Sequence, residues 1–318
     1  MTTHPDPDDT VPVLGTLPPA ALAAKLRAMG DPDTAAVIEQ ALAGDSAEGA
    51  ERGGEQFGLP KGGWWPFNRS KPAYLNTAIA VGYLPVLRPN DPPPIRDVGN
   101  IVPDLTLRGA RIKITLLYLR AADYPGGGMH QVLFDFAARN QVPGTPEDVH
   151  FTTSFRIAEG QRAPVRGYPI FVGLTVGPTG VAFSCTVVNV YNEGDRQLLG
   201  FLDSDVFRAG LQLATVVQPA LKPLTAMAVG LTQNLLAQHE NAKTQEFQLG
   251  LDFTAVAGGA LLAEGAYIVV QIPESAQVLW NWDDWAYLPG NGQIVAKRDL
   301  TSLIPYNYLI LGVSRYTE

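Results

Sequence analysis

Residues 181–191 read VAFSCTVVNVY, and their spacing decides the fold class. Val181, Phe183, Cys185 and Val187 recur every second position, with Ala182, Ser184 and Thr186 between them. Side chains of an extended chain alternate between its two sides, so period two means a strand with one apolar face. The β-branched content agrees, because valine and threonine fit a pleated surface better than a helix. Cys185 falls on the apolar side and reads as a buried core thiol, since a reactive thiolate needs an electropositive, reachable setting.

Working outward, the same pattern returns in IKITLLYLRA (112–121), HQVLFDFAA (130–138), VHFTTSFRI (149–157) and YPIFVGLTVG (168–177). Beyond residue 243 it returns in EFQLGLDFTAV, GAYIVVQI, AQVLWNW, GQIVAKR and NYLILGVSRY. Breakers such as YPGGG, QVPGTP and GPTG separate the runs, YPGGG and LPGNGQ read as hairpin turns, and AEGQRAPVRGYP reads as a longer loop. Many strands without regular helical crossovers predict a mainly β protein. The expected architecture is an antiparallel β-sandwich, or a flattened barrel, over residues 64–318.

Two helical pieces interrupt this scheme. Residues 204–240 read as a helical hairpin inserted into the β domain and split by Pro219 and Pro223, with Lys222 the single charge between Ala209 and Gln238. Leu224, Met227, Leu231 and Leu235 fall on one face of its second helix and are the candidate membrane contacts. Residues 16–44 read as a small N-terminal helix pair: Asp31 is a cap, Pro32 opens the second helix and Gly44 follows its end. Leu22 and Leu26 mark one apolar face, and Val37, Ile38 and Leu42 the other. So short a pair cannot bury a core alone, so those faces are the expected docking surface for a partner or a second copy. Residues 1–15 read as a disordered tail and 45–63 as a flexible Gly/Glu-rich linker open to cleavage between 44 and 60. Trp64, Trp65 and Phe67 then pin the chain where it enters the β domain.

Composition bounds the function. The chain has 318 residues, 46% of them hydrophobic and 17% charged, with a formal net charge of −8. Residues 1–60 carry ten acidic and three basic side chains, so the rest is nearly neutral. No basic face tracks a nucleic-acid backbone, and no motif points to a nucleotide, a haem or another cofactor. With one cysteine no intrachain disulfide forms, and MTTHPDPDDT lacks the basic and apolar regions of a signal peptide. The expected location is the cytoplasm.

Chemistry finds few candidates. His130 and His150 each stand at the start of a strand, with Asp123 and Asp148 nearby, and give a hydrolase reading with a loop-borne His/Asp site. Glu193, Asp195, Asp203 and Asp205 lie close enough in sequence to suggest calcium, although a turn and a helix cap explain them. LWNWDDWAY (279–287) places three tryptophans around two aspartates. Read by alternation, Val278, Trp280 and Trp282 share one strand face as core anchors, Asp283 and Asp284 end the strand, and Trp285 is left as a surface aromatic contact. The leading expectation is therefore a non-enzymatic intracellular interaction or assembly protein that takes a protein partner or self-associates. One alternative is a latent membrane-active, pore-forming or lipid-binding effector released by cleavage in the linker. The other is the hydrolase.

Overall fold

Period-two runs become strands where both of their faces find apolar cover, and most of the runs do. The computed structural model describes residues 27, 72–86, 94–126, 128–191, 199, 211–213, 221–237, 241–256 and 258–317. The chain divides into two units, Met1–Ser70 and Lys71–Glu318. Of the first, only Arg27, an exposed helical residue, is described. The tail, the helix pair with Leu22, Leu26, Val37, Ile38 and Leu42, the linker, and Trp64, Trp65 and Phe67 therefore lie outside the described residues, as do Glu193, Asp195, Asp203 and Asp205.

The second unit is mainly β. Its elements are β1 (Ala78–Pro85), β2 (Arg96–Asp97), β3 (Arg111–Arg120), β4 (Met129–Asn140), β5 (Glu147–Ala158), β6 (Tyr168–Thr175) and β7 (Gly180–Val190). There follow β8 (Leu211–Gln212), helix α1 (Leu221–Ala237), β9 (Ala242–Asp252), β10 (Ala260–Leu261) and β11 (Gly265–Ile272). The last are β12 (Trp285–Leu288), β13 (Gln293–Ala296) and β14 (Tyr308–Arg315). One sheet has seven strands in the order β2-β1-β11-β14-β3-β6-β8, a second has five in the order β10-β9-β7-β4-β5, and β12-β13 form a hairpin.

Four expectations need correcting here. The sheets are mixed rather than antiparallel, because β8 pairs in parallel with β6 and β10 with β9. Among the described residues neither large sheet closes into a barrel: each runs open between different edge strands. The first helix of the expected insertion gives way at Leu211–Gln212 to a strand, which buries Leu211 and Leu213 beside Phe171 of β6. A strand edge in need of a partner outweighs the local helical pattern there. YPGGG, too, is no hairpin turn, since it links β3 of one sheet to β4 of the other.

The two large sheets share one core. From the five-stranded sheet come Phe134, Phe136, Phe151, Phe183 and Cys185; from the seven-stranded sheet come Ile112, Ile114, Phe171, Tyr267 and Leu311. Phe136 stands against Phe171 of the other sheet with ring centroids 6.0 Å apart. On its other face the seven-stranded sheet carries a second core of Ile268, Ile310, Tyr118, Tyr308, Trp282, Tyr287 and Ile294. The segment between β11 and β14, with the β12–β13 hairpin, supplies its cover. Helix α1 packs on the five-stranded sheet, where Leu235 is fully buried and Leu231 packs against a cluster of Leu133, Val188 and Val190.

Candidate functional site

The cover over the second core is built by turns. Asn281 accepts a hydrogen bond from the Asp283 backbone N–H at 3.0 Å and so caps a 3-10 turn, Trp282–Asp284. A second such turn, Glu274–Ala276, is tied to the start of β1 by the Thr77 backbone N–H, which donates to Glu274 at 3.1 Å. The expected strand AQVLWNW is therefore two turns, and Val278, Trp280 and Trp282 do not share a strand face. The physical reason is a close approach. Trp282 lies on Gly82 of β1, where a Cβ would stand 2.9 Å from the indole ring, so only a glycine admits it. Trp282 is buried, as a core anchor should be.

Trp280 and Trp285 are half-buried and stack at 5.7 Å with their planes 13° apart, and Trp280 meets Trp282 edge-on at 5.3 Å. Trp285 thus faces a neighbouring indole and is only partly a surface contact. The Nε1 atoms of Trp280 and Trp282 are buried with no hydrogen-bond partner among the described residues. Immediately before this stack, Val278 is 92% exposed and Leu279 82%. Asp283 and Asp284 are exposed at its edge.

A few residues away the same layer holds a polar cavity of about 230 Å³. It owes its lining to one irregularity. Ile112, Ile114 and Leu116 point into the shared core, and strict alternation would send Tyr118 and Arg120 there too. The pairing of β3 with β14 instead skips Leu117, so Tyr118 joins the second core and Leu119 returns to the first. This bulge turns Tyr118 and Arg120 outward into the cavity. Arg120 bridges across to Arg162 in the loop before β6. The flanking hydrogen bonds, Ala121 N–H to Gln161 O and Ala163 N–H to Leu119 O, make it a non-hydrogen-bonded pair, the geometry in which opposed side chains stand closest.

Both guanidinium groups are held in place. Arg120 is buried and donates through Nη1 to Ile304 O at 2.8 Å and Tyr306 O at 3.3 Å. Arg162 donates through Nη1 to Asn291 O in the β12–β13 turn. Each also lies over a tyrosine ring, Arg120 over Tyr308 at 5.9 Å and Arg162 over Tyr118 at 5.6 Å. Burial lowers the Arg120 guanidinium from its ordinary value, and the Tyr308 phenol opposes that shift. Burial pushes the Tyr308 phenol up to about 12, with Arg120 and Arg162 pulling it back. Tyr308 donates to Gly292 O at 3.2 Å. Among the described residues, neither Arg120 nor Arg162 forms an ion pair.

The histidine candidates are not brought together. His130 pairs with Ile157 and His150 with Ala137, so seven positions of β4, roughly 23 Å, separate them. His130 is buried, and its Nδ1 accepts from Asn189 at 3.1 Å. Burial holds its imidazole below the ordinary value, against the opposing charges of Glu159 and Asp123. Asp123 accepts from the Ala73 backbone N–H at 2.7 Å, and Asp148 is exposed opposite Arg139. His150 stands 3.8 Å from Asp135, whose carboxylate accepts from Thr152 at 3.0 Å. No group of three His, Cys, Asp or Glu able to hold a metal occurs among the described residues. Of the helix residues proposed as membrane contacts, Leu231 and Leu235 pack on the protein's own sheet, whereas the side chains of Leu224 and Met227 lie outside the description. No helix among the described residues is long and apolar enough to cross a membrane.

Sequence reasoning missed Arg120 and Arg162. A signal existed for the first: the doublet Leu116–Leu117 breaks the period-two pattern of β3 just before Tyr118. No local signal marks Arg162, whose place depends on the bridge to β3. Comparison with protein-family profiles, with curated proteins and with solved structures finds no match.

Proposed function

We propose that this chain is a non-enzymatic interaction protein of the cytoplasm: a β-sandwich body that self-associates, with the N-terminal helix pair as an additional docking module. The observation that carries the reading is the Val278–Leu279 prominence. Two large aliphatic side chains stand almost fully in water on a turn backed by the stacked Trp280 and Trp285. Exposed apolar side chains gain by leaving water on contact, and the neighbouring Trp280 and Trp285 are of the residue types enriched at interface hot spots. The single cysteine is buried and unpaired, in keeping with a reducing compartment. The burial of Leu235 on the protein's own sheet supports a helix that stays seated over one that is released to a membrane.

Sedimentation velocity across a concentration series tests the proposal on the full chain. The wild type is expected to self-associate, and V278D/L279D to shift toward monomer with an unchanged circular dichroism spectrum. A full-length V37D/L42D variant measures the share of the helix pair. Equal sedimentation of wild type and V278D/L279D at every concentration defeats the assignment of this surface.

A further inference from the structure

We infer that the Arg120/Arg162 cavity is a binding site for the phosphoryl group of a small phosphomonoester. The argument begins from a cost. Like charges directly opposite each other across a ladder repel, and here two guanidinium groups occupy such a pair at the closest kind of register. Arginine does not relieve the repulsion by losing its proton at physiological pH. Among the described residues no carboxylate offsets that repulsion, since no ion pair engages either arginine. Arg166 adds another positive charge near Tyr287. The tyrosine faces beneath Arg120 and Arg162 soften the repulsion without neutralising it.

The geometry is that of a preorganised anion receptor. Each guanidinium is fixed through Nη1 by backbone carbonyls, of Ile304 and Tyr306 for Arg120 and of Asn291 for Arg162. That leaves Nε and Nη2 of each free of any described acceptor, and the planar fork they form matches two oxygens of an oxyanion. Both arginines line one space, and two such forks together suit a dianion with at least three acceptor oxygens, which describes a phosphomonoester near neutral pH. Gln293, whose Oε1 accepts from Asn291 Nδ2, adds an amide N–H donor group to the lining, and Tyr118 and Tyr308 give apolar walls. The space of about 230 Å³, against roughly 30 Å³ for a water molecule, exceeds what a bare oxyanion fills and leaves room for an organic portion.

Isothermal titration calorimetry on the full-length protein, at constant ionic strength set with sodium chloride, tests the site. The probes are inorganic phosphate, glycerol 1-phosphate and succinate. Saturable binding of both phosphate probes is expected, tighter for glycerol 1-phosphate, with succinate weaker than either. R162Q should weaken phosphate binding about tenfold or more, and R162K, which keeps the charge but not the fork, should fall between. Near-UV circular dichroism and thermal unfolding accompany each variant, and R162K carries the comparison if R162Q does not fold. Phosphate should raise the melting temperature of the wild type and leave that of R162Q unmoved. Absence of phosphate binding above the chloride background overturns the inference, as does undiminished binding in R162Q. Succinate binding as tight as phosphate overturns the phosphoryl assignment, and inorganic phosphate binding tighter than glycerol 1-phosphate overturns the organic portion.

Discussion

The seven-stranded sheet has an apolar layer on each face, and the two layers are built by different rules. Between the sheets, long strands on both sides contribute alternate residues, and phenylalanine and aliphatic side chains predominate, with Tyr83, Tyr124 and Tyr267 among them. On the outer face the sheet still supplies alternate residues such as Ile268 and Ile310, but turns and a short hairpin supply the cover, and its large residues are Tyr118, Tyr287, Tyr308 and Trp282. Tyrosine and tryptophan join a large apolar body to a polar tip, and in this layer Tyr308 gives its hydroxyl to Gly292 O. Both the arginine cavity and the Val278–Leu279 prominence belong to the outer layer. The regular layer forms the main core, and the irregular layer carries both of the proposed sites.

The sharpest way to break this contrast is Phe136→Ala. Phe136 is fully buried and touches Phe134, Phe171 and Phe183, so the cavity should cost about 4 kcal/mol in urea unfolding and weaken both large sheets together. Next comes Gly292→Ala in the outer layer. Gly292 has φ of +68°, and a Cβ there would stand 2.0 Å from the Tyr118 ring, so about 3 kcal/mol should be lost. Amide exchange should then quicken in β12 and β13 while β4 and β7 stay protected. Equal quickening in both regions would show that the layers unfold as one unit.

A smaller effect concerns His130, at the start of β4 where its ring meets Tyr124 edge-on. Burial lowers its folded-state value below the ordinary one of about 6.5, so the unfolded chain takes up the proton first. Its stabilising contribution is complete above that ordinary value and is lost as pH falls through it toward the folded value. His130→Gln should therefore flatten the fall in stability between pH 7 and pH 5, measured by urea midpoints. The smallest effect on stability belongs to V278D/L279D, expected within about 0.5 kcal/mol because both side chains already stand in water. A larger loss would mean that the prominence belongs to the fold rather than to a contact surface.

Most of the strands were legible. The runs at 130–138, 149–157, 181–190 and 265–272 all fall in strands, because a side-chain period of two and β-branched residues leave little else to form. LPGNGQ was legible as the β12–β13 turn. AQVLWNW was not legible, because its alternation is accidental and Asn281 caps a turn instead. Neither was the pair Arg120 and Arg162, since each looks like an ordinary strand-end or loop cation when read alone.

The sequence alone determined that this chain is mainly β, that its body is nearly neutral and that Cys185 is buried. Those properties follow from composition and local period, which no distant residue alters. The tertiary structure decided which face of β3 carries Tyr118 and Arg120, that Leu211–Gln212 extend a sheet, and that Trp282 rests on Gly82. Each depends on a partner strand or residue far along the chain: β14 opposite the bulge, β6 with an unpaired edge, β1 with a glycine. Pairing and close approach between distant segments leave no periodic mark in either segment, so they appear only when the chain is folded.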